Sequence, residues 1–219
     1  MIFDQPFLWP EPGHVFFDHA RTRPDAYTWM SGPTMSEYAH TYWESAEVII
    51  DLACDAPGLL NVHAIPAVFL FRHFVELSLK DLILTALPLN DEPATLDEGH
   101  KLGVLWKKLR ALIESADLAG GDDELDVVEQ MIQELETVDP GSTSFRYPVE
   151  RADKSGRNKP SLTEEFEYFD MRVFRDQATR LANFFGGCGT QLEEYLDIKR
   201  EMDREYRFDC CLLYTSDAA

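Results

Sequence analysis

Arg72, His73, Glu76 and Lys80 interrupt an otherwise apolar run, FLFRHFVELSLKDLI at 69–83. An arginine and a histidine suffice for metal-free cleavage of RNA. The imidazole takes the proton of a ribose hydroxyl, and the guanidinium stabilises charge on the phosphorane. Both groups must converge on one phosphate. Neighbours on a helix diverge by about 100°, so Arg72 and His73 converge poorly without help. His100, which opens GHKLGVLWKKL, is the candidate third group if two helix ends meet. The same residues also have a structural reading. Arg72, Glu76 and Lys80 fall at about 0°, 40° and 80° around the helix, and His73 at about 100°. Arg72–Glu76 and Glu76–Lys80 are pairs of opposite sign four residues apart, so the stripe can satisfy itself at a helix seam or a solvated edge.

A second cluster lies in SFRYP at 144–148. Arg146 could grip a phosphate while Tyr147 stacks on a base. Alternatively, both anchor a long loop onto the helices, with Pro148 setting its direction. Other chemistry finds little support. His14, Asp18 and His19 in HVFFDH do not share one helical face, so no metal site is expected. Phosphate-loop, dinucleotide, nucleophile-elbow and zinc-protease motifs are absent. GGCGT at 186–190 follows no strand pattern and reads as a helix break. Ser78 has no His or Asp at a neighbouring position to activate it. Cys54, Cys188, Cys210 and Cys211 have no zinc-like spacing, and no cofactor is expected.

The elements that must position these groups follow from periodicity. Residues 1–33 hold Pro6, Pro10, Pro12, Pro24 and Pro33 among many aromatics, which predicts an irregular arm across the main body. A first helix is predicted from Ser36, with Tyr42, Ala46, Ile49, Ile50 and Ala53 on one face, stopped by DAPGLLN. A second follows Pro66 and ends before Pro88; it should be central and the most buried. A third covers 101–116 and a fourth 123–137, the latter with acid on its outer face. The stretch DPGSTSFRYPVERADKSGRNKPS has no helical period and is locally basic. A fifth helix is predicted over 163–185 with Thr163 as N-cap, and a sixth from Thr190. The class is all-α, an antiparallel bundle of five to six helices over 34–209.

The chain carries a formal net charge of −20 in 219 residues, and 91–150 hold 15 Asp and Glu against 5 Lys and Arg. Long-range repulsion of nucleic acid argues against a sequence-reading DNA binder but leaves room for a local basic site. No uninterrupted apolar run reaches membrane-spanning length, and MIFDQPFLWPEPGH is unlike a signal peptide, so a cytoplasmic location without membrane contact is expected. The ending CLLYTSDAA can be encoded by a string that looks like a transposase sequencing adapter. Residues 210–219 are therefore set apart as non-native read-through, with Cys210 at the join. They should pack poorly or extend the last helix without tertiary contacts.

PAVFLFRHFVELSLKDLI, GHKLGVLWKKL and VDPGSTSFRYPV, in that order, resemble a bacterial group of helical proteins related to the HEPN (higher eukaryote and prokaryote nucleotide-binding) superfamily. The resemblance covers roughly 36–205. It implies an antiparallel helical bundle, often a homodimer, that binds RNA or a nucleotide. Many members are metal-independent ribonucleases of toxin–antitoxin or defence systems, with an antitoxin as protein partner. Their R-x4–6-H motif is missing here, since the closest pair, Arg72 and His73, is adjacent. On the resemblance and the residues together, Arg72, His73 and His100 are the catalytic candidates. Glu76, Lys80, Arg146 and Tyr147 are the RNA- or nucleotide-binding candidates. The alternative is a non-catalytic protein-interaction or scaffolding module.

Overall fold

The computed structural model describes residues 10–13, 16–17, 32–96, 99–116, 122–149, 160–162, 166 and 168–216, excepting the side chains of 57, 122 and 207–216. Two units divide the chain, Met1–Pro33 and Thr34–Ala219. Most of the expected arm, including His14, Asp18 and His19, lies outside the described residues, as do 150–159 and 163–165. The second unit is all-α. Its helices are α1 (Met35–Asp55), α2 (Leu60–Ala86), α3 (Leu102–Ser115), α4 (Asp122–Val138) and α5 (Met171–Ser216). A single β-bridge, Val149 with Pro160, is the only strand-like pairing among the described residues.

α1 begins one residue before Ser36, because Thr34 caps it. The Thr34 hydroxyl accepts from the Glu37 amide, and the Glu37 carboxylate accepts from the Thr34 amide. Ala46, Ile50 and Ala53 turn inward, as the spacing predicts, while Tyr42 and Ile49 are half-buried and Ala39 joins the core. Short 3-10 turns over Pro57–Leu59 and Leu87–Asn90 bracket α2. α2 starts seven residues earlier than predicted and contains Pro66. Pro66 lies on an exposed part of the helix, where water can serve the carbonyl that proline leaves without a donor.

α2 packs against α1, α3 and α5 and is buried along most of its length, including Phe71, Val75, Leu79, Leu82 and Ile83. By length and composition, Leu60–Asn90 could cross a membrane, although Arg72, His73, Glu76, Lys80 and Asp81 interrupt its apolar run. More than half of that window, 56%, is buried inside the protein. A core helix passes the same test, because burial and bilayer select the same apolar residues. Trp106 on α3 is the largest fully enclosed side chain among the described residues, edge-on to Phe184 at 6.1 Å between ring centroids.

α5 departs most from expectation. Residues 168–170 are not helical, and the helix starts at Met171 with the Asp170 carboxylate accepting from the Arg172 and Val173 amides. The predicted cap Thr163 lies outside the described residues. The helix then runs unbroken through GGCG to Ser216. Glycine costs about 1 kcal/mol per helical position but does not forbid the conformation. Leu181 and Phe185 before the glycines, and Leu192 after them, are buried and hold both halves on the core. The backbone of 210–216 extends this helix; the burial of Leu212, Leu213 and Tyr214 lies outside what is described.

Candidate functional site

Arg72 lies on the inner side of α2, 1% exposed. Its Nη1 donates to Ser142 Oγ at 2.8 Å and to Glu76 Oε2 at 3.3 Å. Nη2 donates to the His100 carbonyl at 3.2 Å. Nε is 3.2 Å from Asp139 Oδ2. That contact is an ion pair without hydrogen-bond alignment, since neither atom has a hydrogen-bond partner. Glu76 is equally enclosed. Its Oε1 meets Lys80 Nζ at 2.8 Å and His100 Nδ1 at 2.7 Å. Burial would raise the Glu76 pKa, but the bonds from Lys80 and His100 outweigh it and hold the carboxyl below its ordinary value. The Glu76 contribution to stability is therefore present above its ordinary value of 4.5 and is lost as pH falls through the lowered one.

Asp139 and Ser142, which sequence reasoning did not single out, complete the arrangement. The chain leaving α4 turns sharply at VDPGS. Asp139 Oδ1 accepts the amides of Thr143 and Ser144 at 2.7 and 2.8 Å. The Asp139 carbonyl accepts from the Ser142 amide. These bonds hold Ser142 at φ +55°, a left-handed conformation that costs a non-glycine residue about 1–2 kcal/mol. In return, Ser142 Oγ points at the guanidinium. An Asp followed by Pro-Gly at a helix end was the available signal for this turn.

The predicted residues thus separate into two groups. Arg72, Glu76, Lys80 and His100 share one network. Arg146 reaches its edge through Nη2 to Ser142 Oγ at 3.3 Å, with its guanidinium carbon 5.2 Å from the centre of the Phe69 ring. Tyr147 is 61% exposed. His73 turns away from the ionic network toward aromatics. It is edge-on to Tyr42 at 4.4 Å and parallel to Phe69 at 6.4 Å. Arg72 and His73 therefore do not converge on one point. His100 is 73% exposed and bound through Nδ1, so Nε2 is its free nitrogen.

His73 Nδ1 is buried without a hydrogen-bond partner. Burial lowers its pKa, and Arg146, Arg72 and Lys80 add to the effect against the opposing pull of Glu76. The unfolded chain then takes up a proton near pH 6.5 that the folded chain resists, and stability declines as pH falls through that value. His73→Phe should fit among Tyr42 and Phe69 and remove both the unpaired nitrogen and the titration. The expected result is a gain of about 1 kcal/mol. The drop in melting temperature between pH 8 and pH 5.5 should also be smaller than in the parent, read by thermal melts at both values.

Among the described residues no group of three His, Cys, Asp or Glu side chains could hold a metal ion. Cys54 is buried near the end of α1. Burial pushes the Cys188 thiol up to about 11, so it is not an activated thiolate. Comparison of the chain with family models, curated proteins and solved structures finds no match.

Proposed function

We propose that the chain is an HEPN-like antiparallel helical bundle that binds RNA or a nucleotide without cleaving it. In this reading Arg72, Glu76 and Asp139 are structural. The contacting groups are Arg146, Tyr147 and His100, with Lys80 at the edge. The observation that carries it concerns Arg146. In a chain of net charge −20, this exposed arginine forms no ion pair among the described residues and lies over an aromatic ring beside an exposed tyrosine. A cation next to stacking surfaces suits a phosphate and its base. The enclosure of Arg72 speaks against a cleavage site, because a guanidinium spent on two carboxylates, a hydroxyl and a carbonyl has little left for a phosphorane.

Titration of a fluorescent single-stranded RNA at fixed salt tests the reading. Arg146→Ala should weaken binding by about tenfold, the worth of one charge-assisted hydrogen bond, and leave the melting temperature within about 1 °C. Total RNA incubated with the protein should stay intact. Cleavage that disappears in His100→Ala would instead make His100 a catalytic base, held in orientation by Glu76. Absence of RNA binding would favour the second reading, a protein-interaction module that forms a homodimer or docks an antitoxin-like partner. The strongly acidic surface and the closed Arg72 network favour that alternative.

A further inference from the structure

On the far side of α2 from the loop at 139–149, a recess of about 340 Å³ opens between α1, α2 and α5. Its volume falls in the range of small-molecule sites. Ser78 on α2 lines it and is 7% exposed, yet its hydroxyl has no hydrogen-bond partner among the described residues. Other helical hydroxyls here, such as Thr85 and Ser45, bond back to the carbonyl four residues earlier. Ser78 does not; its oxygen is not sealed in the core but opens on the recess.

One turn along α2, Asp81 lines the same recess and faces Glu193 of α5. Burial, followed by the Glu193 charge, raises the Asp81 pKa, and only the Ser36 backbone opposes this. Among the described residues no lysine or arginine lines the recess, and its histidine, His40, is exposed and lies 3.7 Å from Glu44. Trp43 supplies an aromatic wall, and Gly186 and Gly189 supply the space. A Cβ at Gly186 would meet nothing within 4 Å, and one at Gly189 would lie 3.5 Å from the Leu82 side chain. Two carboxylates without a lysine or arginine, an unpaired hydroxyl and an aromatic face suit a positively charged group that donates hydrogen bonds.

We propose that this recess binds a small organic cation carrying a primary ammonium group, held between Asp81, Glu193 and Ser78 and lying against Trp43. An ammonium is favoured over a metal ion because the cluster lacks a third metal-ligating side chain. The N–H donors of an ammonium can be shared among Asp81, Glu193 and Ser78. Relief of the repulsion between the two acids would supply part of the binding energy.

Isothermal titration of the full chain with putrescine, at physiological salt, tests the proposal. Saturable binding at one site is expected. Asp81→Asn should weaken it by about tenfold or more, Gly186→Leu should abolish it by filling the space, and Glu124→Gln on the outer face of α4 should bind like the parent. Asp81→Asn should melt at the same or a higher temperature, since it removes a carboxylate that burial disfavours, so its loss of binding is not a loss of fold. Tetramethylammonium, which cannot donate, should not compete, and neither should magnesium. The proposal is overturned if putrescine shows no saturation up to millimolar concentration. It is also overturned if Asp81→Asn and Glu124→Gln lose binding equally, which marks diffuse attraction to an acidic protein, or if tetramethylammonium or magnesium competes as well as putrescine.

Discussion

Arg72→Ala should lower the melting temperature by roughly 10 °C. Removing one partner of a buried ionic cluster costs about 3–5 kcal/mol, because the remaining charges are stranded, and in a domain of this size each kcal/mol is worth about 2–4 °C. Two carboxylates are stranded here. Glu76 keeps Lys80 and His100 on one oxygen but loses its partner on the other. Asp139 keeps its two amides but faces an emptied space on the Oδ2 side. Pairing the change with a neutral acceptor identifies the cause. In Arg72→Ala/Asp139→Asn, the amide oxygen can still accept from Thr143 and Ser144, and no charge is left unpaired at 139. That double variant should recover a good part of the loss, giving a coupling well outside the few tenths of a kcal/mol expected for independent sites. Thermal melts of the parent, both single variants and the double variant give the coupling directly. An Arg72→Ala protein that melts like the parent would mean that Arg72 carries no structural load, and would return it to the list of phosphate ligands.

The ionic stripe shows what a sequence carries and what it leaves out. Arg72–Glu76 and Glu76–Lys80 were legible because pairs four residues apart on a helix are fixed by the helix itself. The buried character of α2 was legible for a similar reason: an apolar surface all round a helix has to be covered. His100 against Glu76 was within reach as a guess about two helix ends. Asp139 and Ser142 were not, since they lie 67 and 70 positions from Arg72 and owe their placement to a turn whose side-chain bonds leave no period. His73 could not be told from a catalytic residue by type or spacing; only its aromatic neighbours, Tyr42 and Phe69, show that it faces away from Arg72. Helix ends failed where a local signal was outvoted. Pro66 and GGCG both read as breaks, and the chain runs helically through each, because burial on either side outweighs one missing donor or a few weak helix formers.

Replacing Gly186, Gly187 and Gly189 together by alanine should raise stability by about 2–3 kcal/mol, since each glycine in a helix interior costs about 1 kcal/mol relative to alanine. The added methyl groups meet no obstacle. Cβ atoms at Gly186 and Gly187 have nothing within 4 Å, and the one at Gly189 makes an ordinary contact with Leu82. The helix is already closed at this point, where Thr190 Oγ1 donates to the Gly186 carbonyl. A rise of roughly 5–10 °C in melting temperature is expected, with helical circular dichroism unchanged at 20 °C because the segment is helical before the change. If these glycines broke the helix instead, alanine would force a new conformation on the chain, and the melt would stay level or fall. The same variant connects stability with the recess beside α2. Three weak helix formers in one turn are costly unless the space they leave is used. If that space receives an organic cation, the stabilised protein should bind putrescine more weakly than the parent, the usual exchange of stability against function. Gly187→Ala alone, at a glycine that does not line the recess, should gain its share of stability and keep the binding. Comparing the single and triple variants by melt and by titration separates the cost of glycine in a helix from the use made of its missing side chain.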